Sequence, residues 1–172
     1  MKEVFMIRRV AFKKAVFAGA CGSLAWELIV RVLIFAGLPL FDLVKVLGIL
    51  AFGPGTPAEY WWPVGLFMHL VVGAIWAIFY AYFFWSIVDL RPVLQGIIFS
   101  ILPAILAGLI MVPQMDIMTD GQMPKFGPFA YGLGWFGPVT IIAGHLIYGA
   151  IMGSLYTKPV GYPASRREVV YG

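Results

Sequence analysis

PVGLFMHLVVGAIWAIFYAYFFWSIV, residues 63–88, holds one histidine and no acidic or basic side chain from its opening proline to its end. At a rise of about 1.5 Å per residue it exceeds the ~30 Å hydrocarbon thickness of a bilayer as a single helix. The whole chain has the same character: of its 172 residues 62% are hydrophobic and 12% charged, with a mean hydropathy of +0.92. A water-soluble domain carries about 25% charged and 45–50% apolar residues. An ordinary soluble globule is excluded, and a nucleic-acid-binding protein or a soluble enzyme fits poorly; the net charge of +4 is mild.

Three more runs meet the length requirement, residues 15–37, 92–112 and 138–156. Pro63, Pro92 and Pro138 each open a run, and the first turn of a helix is where a missing N–H costs least. The expected fold is an all-α membrane protein, a bundle of four transmembrane helices. Residues 40–52 are apolar but too short to span, and are expected to form an interfacial helix on the outer side, followed by a stiff turn over Gly53 to Pro57. Tyr60, Trp61 and Trp62 mark one interface and Trp85 the other.

Lys and Arg divide sharply between the two sides. Lys2, Arg8, Arg9, Lys13, Lys14, Arg91, Lys158, Arg166 and Arg167 fall on one side, and only Lys45 and Lys125 on the other. The positive-inside rule then places the protein in the cell (inner) membrane with both termini in the cytoplasm. Residues 1–14 read as a basic cytoplasmic segment lying on anionic headgroups, and residues 157–172 as a cytoplasmic tail. No cleavable signal peptide is expected, because Glu27 and Arg31 interrupt the first apolar run and no small-residue cleavage box accompanies it.

Aligning His69 with His145 sets HLVVGAIWAIFY over HLIYGAIMGSLY, identical at six of twelve positions, and Gly19 and Ser23 align more weakly with Gly96 and Ser100. The expected architecture is therefore two helical-hairpin repeats in parallel. A Gly37-Leu38-Pro39-x-x-Asp42 segment after the first span, a histidine in the second, and a closing Gly144-His145-x-x-Tyr148-Gly149-x-x-x-Gly153 helix complete the pattern. With these motifs the chain, over most of residues 15–156, resembles an uncharacterised family of small four-span prokaryotic membrane proteins. The resemblance implies a fold and no particular substrate or cofactor.

Ionisable residues at membrane depth are costly and each is a functional hypothesis. Counted from the span ends, His69, His145 and Arg31 lie about 9–10 Å below the outer boundary, and Glu27 one turn deeper on the face of Arg31. Gly73 and Gly149 follow the two histidines by four residues, and Gly153 completes a GxxxG. Such stripes let helices approach closely, so the histidines are expected to point into the bundle. Three readings of this layer stand side by side. In the first, Glu27 and Arg31 form an intramembrane ion pair, the histidines bond neighbouring groups, and no cofactor is held. In the second, His69 and His145 are axial ligands of haem b, with Arg31 on a propionate. In the third, the layer binds a quinone or an anionic lipid, with Arg31 as counter-ion.

Met111, Met115, Met118 and Met123, interspersed with Asp116 and Asp120 in the loop after span three, have the softness and spacing of a weak Cu(I) site, although methionine is also a common gap-filler. Cys21 stands alone and can form neither an internal disulfide nor a multi-cysteine metal site. The chain has no phosphate-binding glycine loop, no zinc-type pair on one helix and no nucleophile set beside a base, so an autonomous enzyme is not expected. The function expected first is an accessory or structural subunit of a larger membrane assembly, or a homo-oligomer packed through Gly73, Gly149 and Gly153. A haem-binding electron-transfer protein is the alternative, and a small transporter or quinone- or lipid-binding protein the third. The partners expected are the lipid bilayer and other membrane subunits or further copies of the chain, with no nucleic acid.

Overall fold

A backbone surrounded by lipid must satisfy its own N–H and C=O groups, and a helix does so within one segment. The computed structural model, which describes residues 10–53, 55–85, 90–119, 123 and 125–156, is helical accordingly. Residues 1–9 and 157–172, with most of the expected basic segment and the whole tail, lie outside the described residues.

The elements in order are α1 (Phe12–Phe35), α2 (Leu43–Phe52), α3 (Ala58–Phe79) running into a π-helical turn (Tyr80–Phe84), and α4 (Pro92–Leu106). A second π turn (Ala107–Met111), α5 (Val112–Met118), a short 3₁₀ segment (Pro128–Leu133) and α6 (Phe136–Leu155) complete the described chain. Among the described residues four continuous helices are long and apolar enough to cross a membrane: Phe12–Phe35, Ala58–Phe84, Pro92–Met118 and Phe136–Leu155. Large apolar side chains such as Leu28, Val32, Phe67, Ile101 and Val139 are exposed, the pattern of a surface whose solvent is lipid.

Several boundaries differ from the sequence expectation, each for a local reason. Span two begins at Ala58 instead of Pro63: Pro57 precedes the helix, and Pro63 sits in its second turn, where it forfeits one backbone bond. Span three continues to Met118 instead of stopping at residue 112, so Met111, Met115 and Met118 are helical and not in a loop. Pro113 would clash with the carbonyl four residues back in a regular helix, and the wider π turn just before it gives the ring room.

Within residues 40–52 the short apolar helix α2 forms from Leu43. Asp42 caps α2, its Oδ1 accepting the Lys45 N–H at 3.0 Å; Val44 and Gly48 are buried against α3, and Val46 and Leu47 in a cluster with Phe41, Val112 and Met115. Gly65 admits the Val44 carbonyl and Gly48 the Trp61 carbonyl, at places a Cβ would fill.

Glycines also set the bundle. A Cβ on Gly19 of α1 would overlap the Gly73 carbonyl of α3, and one on Gly73 would overlap the Ser23 hydroxyl. On the other pair, a Cβ on Gly96 of α4 would overlap the Gly149 carbonyl of α6, one on Gly149 would lie 2.7 Å from Ser100 Cβ, and one on Gly153 would strike the Pro92 carbonyl. Gly73, Gly149 and Gly153 thus each face another helix of the same chain. Helix α1 packs in turn on α6, where Gly22 receives the Tyr148 ring and Gly144 the Trp26 indole. The spans therefore stand in the order α3, α1, α6, α4, and α3 with its π turn meets α4 through side chains, Trp76, Tyr80 and Phe84 packing on Phe99.

Two apolar clusters fill the ends. One gathers Tyr80, Phe99, Tyr148, Met152 and Tyr156 near the α3–α4 turn; the other gathers Phe41, Val46, Val112, Met115, Phe126 and Ile141 near α2.

Candidate functional site

Between these clusters the helical period of α1 stacks Glu27 below Arg31, and the N-terminus of α2 delivers Asp42 beside them. Arg31 bonds all three ways. Its Nε donates to Glu27 Oε1 at 3.1 Å, Nη2 contacts the same oxygen, and the Nη1 and Nη2 groups donate to Asp42 Oδ2 and Oδ1 at 2.9 and 3.0 Å. The planar guanidinium fits such forked acceptance as an ammonium cannot. Glu27 is only 3% exposed, and its second oxygen, Oε2, stands 3.9 Å from Nδ1 of His69. That Nδ1 is buried with no hydrogen-bond partner.

His145 is held differently. Its Nδ1–H donates to the Ile141 carbonyl one turn back at 2.8 Å, which fixes the tautomer and leaves Nε2 as an acceptor in the neutral ring. Next to it, the Tyr148 hydroxyl donates to the Gly73 carbonyl at 2.6 Å and ties α6 to α3.

Glu27, His69 and His145 all line one cavity of about 370 Å³, walled by residues of all six α-helices and the π turn of span three. That volume lies within the ~300–1,000 Å³ of small-molecule sites. Its wall is otherwise mostly apolar, with Trp26, Phe41, Trp76 and Met115 among the lining residues. The Thr140 hydroxyl on the same wall is spent on the Phe136 carbonyl. No lysine or arginine lines it among the described residues. Arg31, expected to meet a propionate or an anionic head, faces its two carboxylates instead.

The structure thus gathers His69, His145 and Glu27 about one space and links Arg31 to it through Glu27. Sequence reasoning missed Asp42 as the second partner of Arg31, although an Asp before an apolar run is a legible N-cap signal. It also missed Asp116, whose carboxylate accepts the Phe126 and Gly127 N–H groups, each at 2.7 Å, and so pins the segment after α5. The methionines are dispersed in environment: Met115 is buried in the cluster around Phe41, Met123 borders that cluster, and Met111 and Met118 are 52% and 65% exposed. No group of three or more His, Cys, Asp or Glu suited to a metal ion occurs among the described residues.

Compared with models of known families, with curated proteins and with solved structures, the chain matches none. The four-span architecture therefore rests on the helices themselves.

Proposed function

We propose that the protein is a non-enzymatic multi-pass subunit that holds a lipid-soluble ligand in the cavity between its spans. The observation that carries this reading is a mainly apolar space of about 370 Å³ with Glu27, His69 and His145 on its wall. A few convergent polar groups in an apolar hollow are what ligand sites share, and unpaired polar atoms at membrane depth are expensive to keep without a purpose. The protein, purified from its native membrane in mild detergent, is to be extracted and analysed by mass spectrometry beside an Ala107→Trp variant, whose indole fills the cavity. A stoichiometric lipid-soluble molecule lost in the variant is the expected result. Bulk lipid in equal amount in both proteins overturns it.

A second reading, bis-histidine haem b, is favoured by one detail: the Nδ1–H of His145 is held by a carbonyl while Nε2 is left for a metal, the arrangement that orients ligating histidines. Absorption spectra of the oxidised and dithionite-reduced protein decide it, and a colourless sample removes haem.

Two features of build belong with this reading. The matched contacts of Gly19, Ser23 and Gly73 on one side and Gly96, Ser100 and Gly149 on the other support descent of the two hairpins from one duplicated unit. The distribution of Lys and Arg supports cytoplasmic termini in the cell membrane.

A further inference from the structure

We infer that the ligand is a single-chain amphiphile with a hydroxyl head, entering sideways from the bilayer and lying with its chain in the apolar groove lined by α3 and α4. This rests on the ligand-binding reading above and specifies its chemistry.

The head follows from what the cavity offers. Both Arg31 bonds to Glu27 fall on Oε1, and Oε2 accepts none among the described residues. His145 Nε2 is likewise without a partner there, its ring fixed as an acceptor by the Ile141 carbonyl. Neither atom is sealed off, whereas His69 Nδ1 is. Two exposed acceptors call for a donor. An anionic head finds no cation on the wall, and it would sit beside a cluster in which two carboxyl groups already share one guanidinium. A head lacking an O–H leaves both acceptors desolvated and unpaired, which is the larger loss. A hydroxyl satisfies one acceptor and asks for no counter-ion.

The chain follows from the order of the spans. Spans two and three stand at the two ends of the row and meet through side chains, Trp76 and Tyr80 packing on Phe99 with ring centroids 6.3 and 5.2 Å apart. On the outer side of that contact lies a second apolar hollow of about 460 Å³, lined by Trp76, Phe79, Phe83, Ile98, Phe99 and Leu102. Trp76 lines both hollows and makes them neighbours. Phe83 and Leu102 are more than half exposed, so this groove faces the lipid from which such a molecule partitions.

The test is native mass spectrometry of the purified full chain with three probes of equal length added: hexadecanol, hexadecyl methyl ether and hexadecyl phosphate. Hexadecanol is expected to be retained at least about tenfold better than either of the others, the loss expected when a buried polar group goes unpaired. His145→Ala is expected to abolish that preference. Leu102→Trp, a lipid-facing change that leaves the cavity intact, is expected to weaken hexadecanol while leaving octanol binding unchanged. Equal or better retention of the phosphate or the ether overturns the hydroxyl head and leaves the ligand-binding reading standing. Hexadecanol indifferent to Leu102→Trp overturns the groove. Retention of none of the probes by a folded protein overturns the inference, while the fate of the broader reading stays with the extraction experiment above.

Discussion

Arg31 and Asp42, eleven residues apart, meet through two parallel hydrogen bonds of 2.9 and 3.0 Å, and the same guanidinium holds Glu27. This fastens the end of α1 to the start of α2 and puts a carboxylate beside the cavity. Replacing Arg31 by Met leaves two carboxyl groups without their cation. Breaking a fully buried pair from one side typically costs about 3–5 kcal/mol, and this cluster, with the Arg31 side chain 31% exposed, should cost less. Thermal unfolding in detergent should show a clear loss, with Arg31→Lys intermediate because it restores charge without the fork. The triple change Arg31→Met, Glu27→Gln, Asp42→Asn should recover part of the loss.

The close contact of Gly149 with Gly96 and Ser100 leaves no room for a side chain. Gly149→Val should therefore abolish the folded species on size-exclusion chromatography, while Val139→Ala, on the exposed face, should leave its elution unchanged. A stable monomer released from a larger form by Gly149→Val would instead mean that the glycine joins copies.

Asp116 pins the Phe126 and Gly127 amides at 2.7 Å each. Hydrogen bonds to a charged acceptor are worth about 1.5–3 kcal/mol. Asp116→Ala should speed hydrogen exchange at these two amides by at least about tenfold, with the amides of α1 unaffected. The segment they introduce is strained, since Phe129 and Ala130 hold φ values of 53° and 54°. Ala130→Gly should be tolerated or mildly stabilising, within about 1 kcal/mol.

Side-specific labelling checks the orientation. With Cys21 replaced by Ser, a cysteine at Thr56 should react with a membrane-impermeant maleimide added to intact cells, and one at Arg91 only after the membrane is opened. The reverse pattern overturns the placement of both termini in the cytoplasm.

Much of the site was legible before folding. Glu27 and Arg31 are four residues apart on one helix and had to be neighbours. His69 and His145 were expected inside the bundle because a glycine one turn away marks a packed face. Asp42 was not matched to Arg31 because a chain reversal separates them, and no periodicity carries across a loop. The methionines are expected in a loop because the third apolar run ends at residue 112; the π turn that carries the helix on through Pro113 has no clear signature in composition.

The four spans follow from composition alone, since a long, mainly apolar run in lipid has no alternative to a helix that bonds its own backbone. The cavity, the groove lined by α3 and α4, and the spending of each glycine on a particular neighbour depend on which helix stands beside which. Hydropathy cannot report that order, because in a bilayer the face toward lipid and the face toward another helix are both apolar. The order is chosen by close packing of side chains and backbone, which exists only once the helices have met.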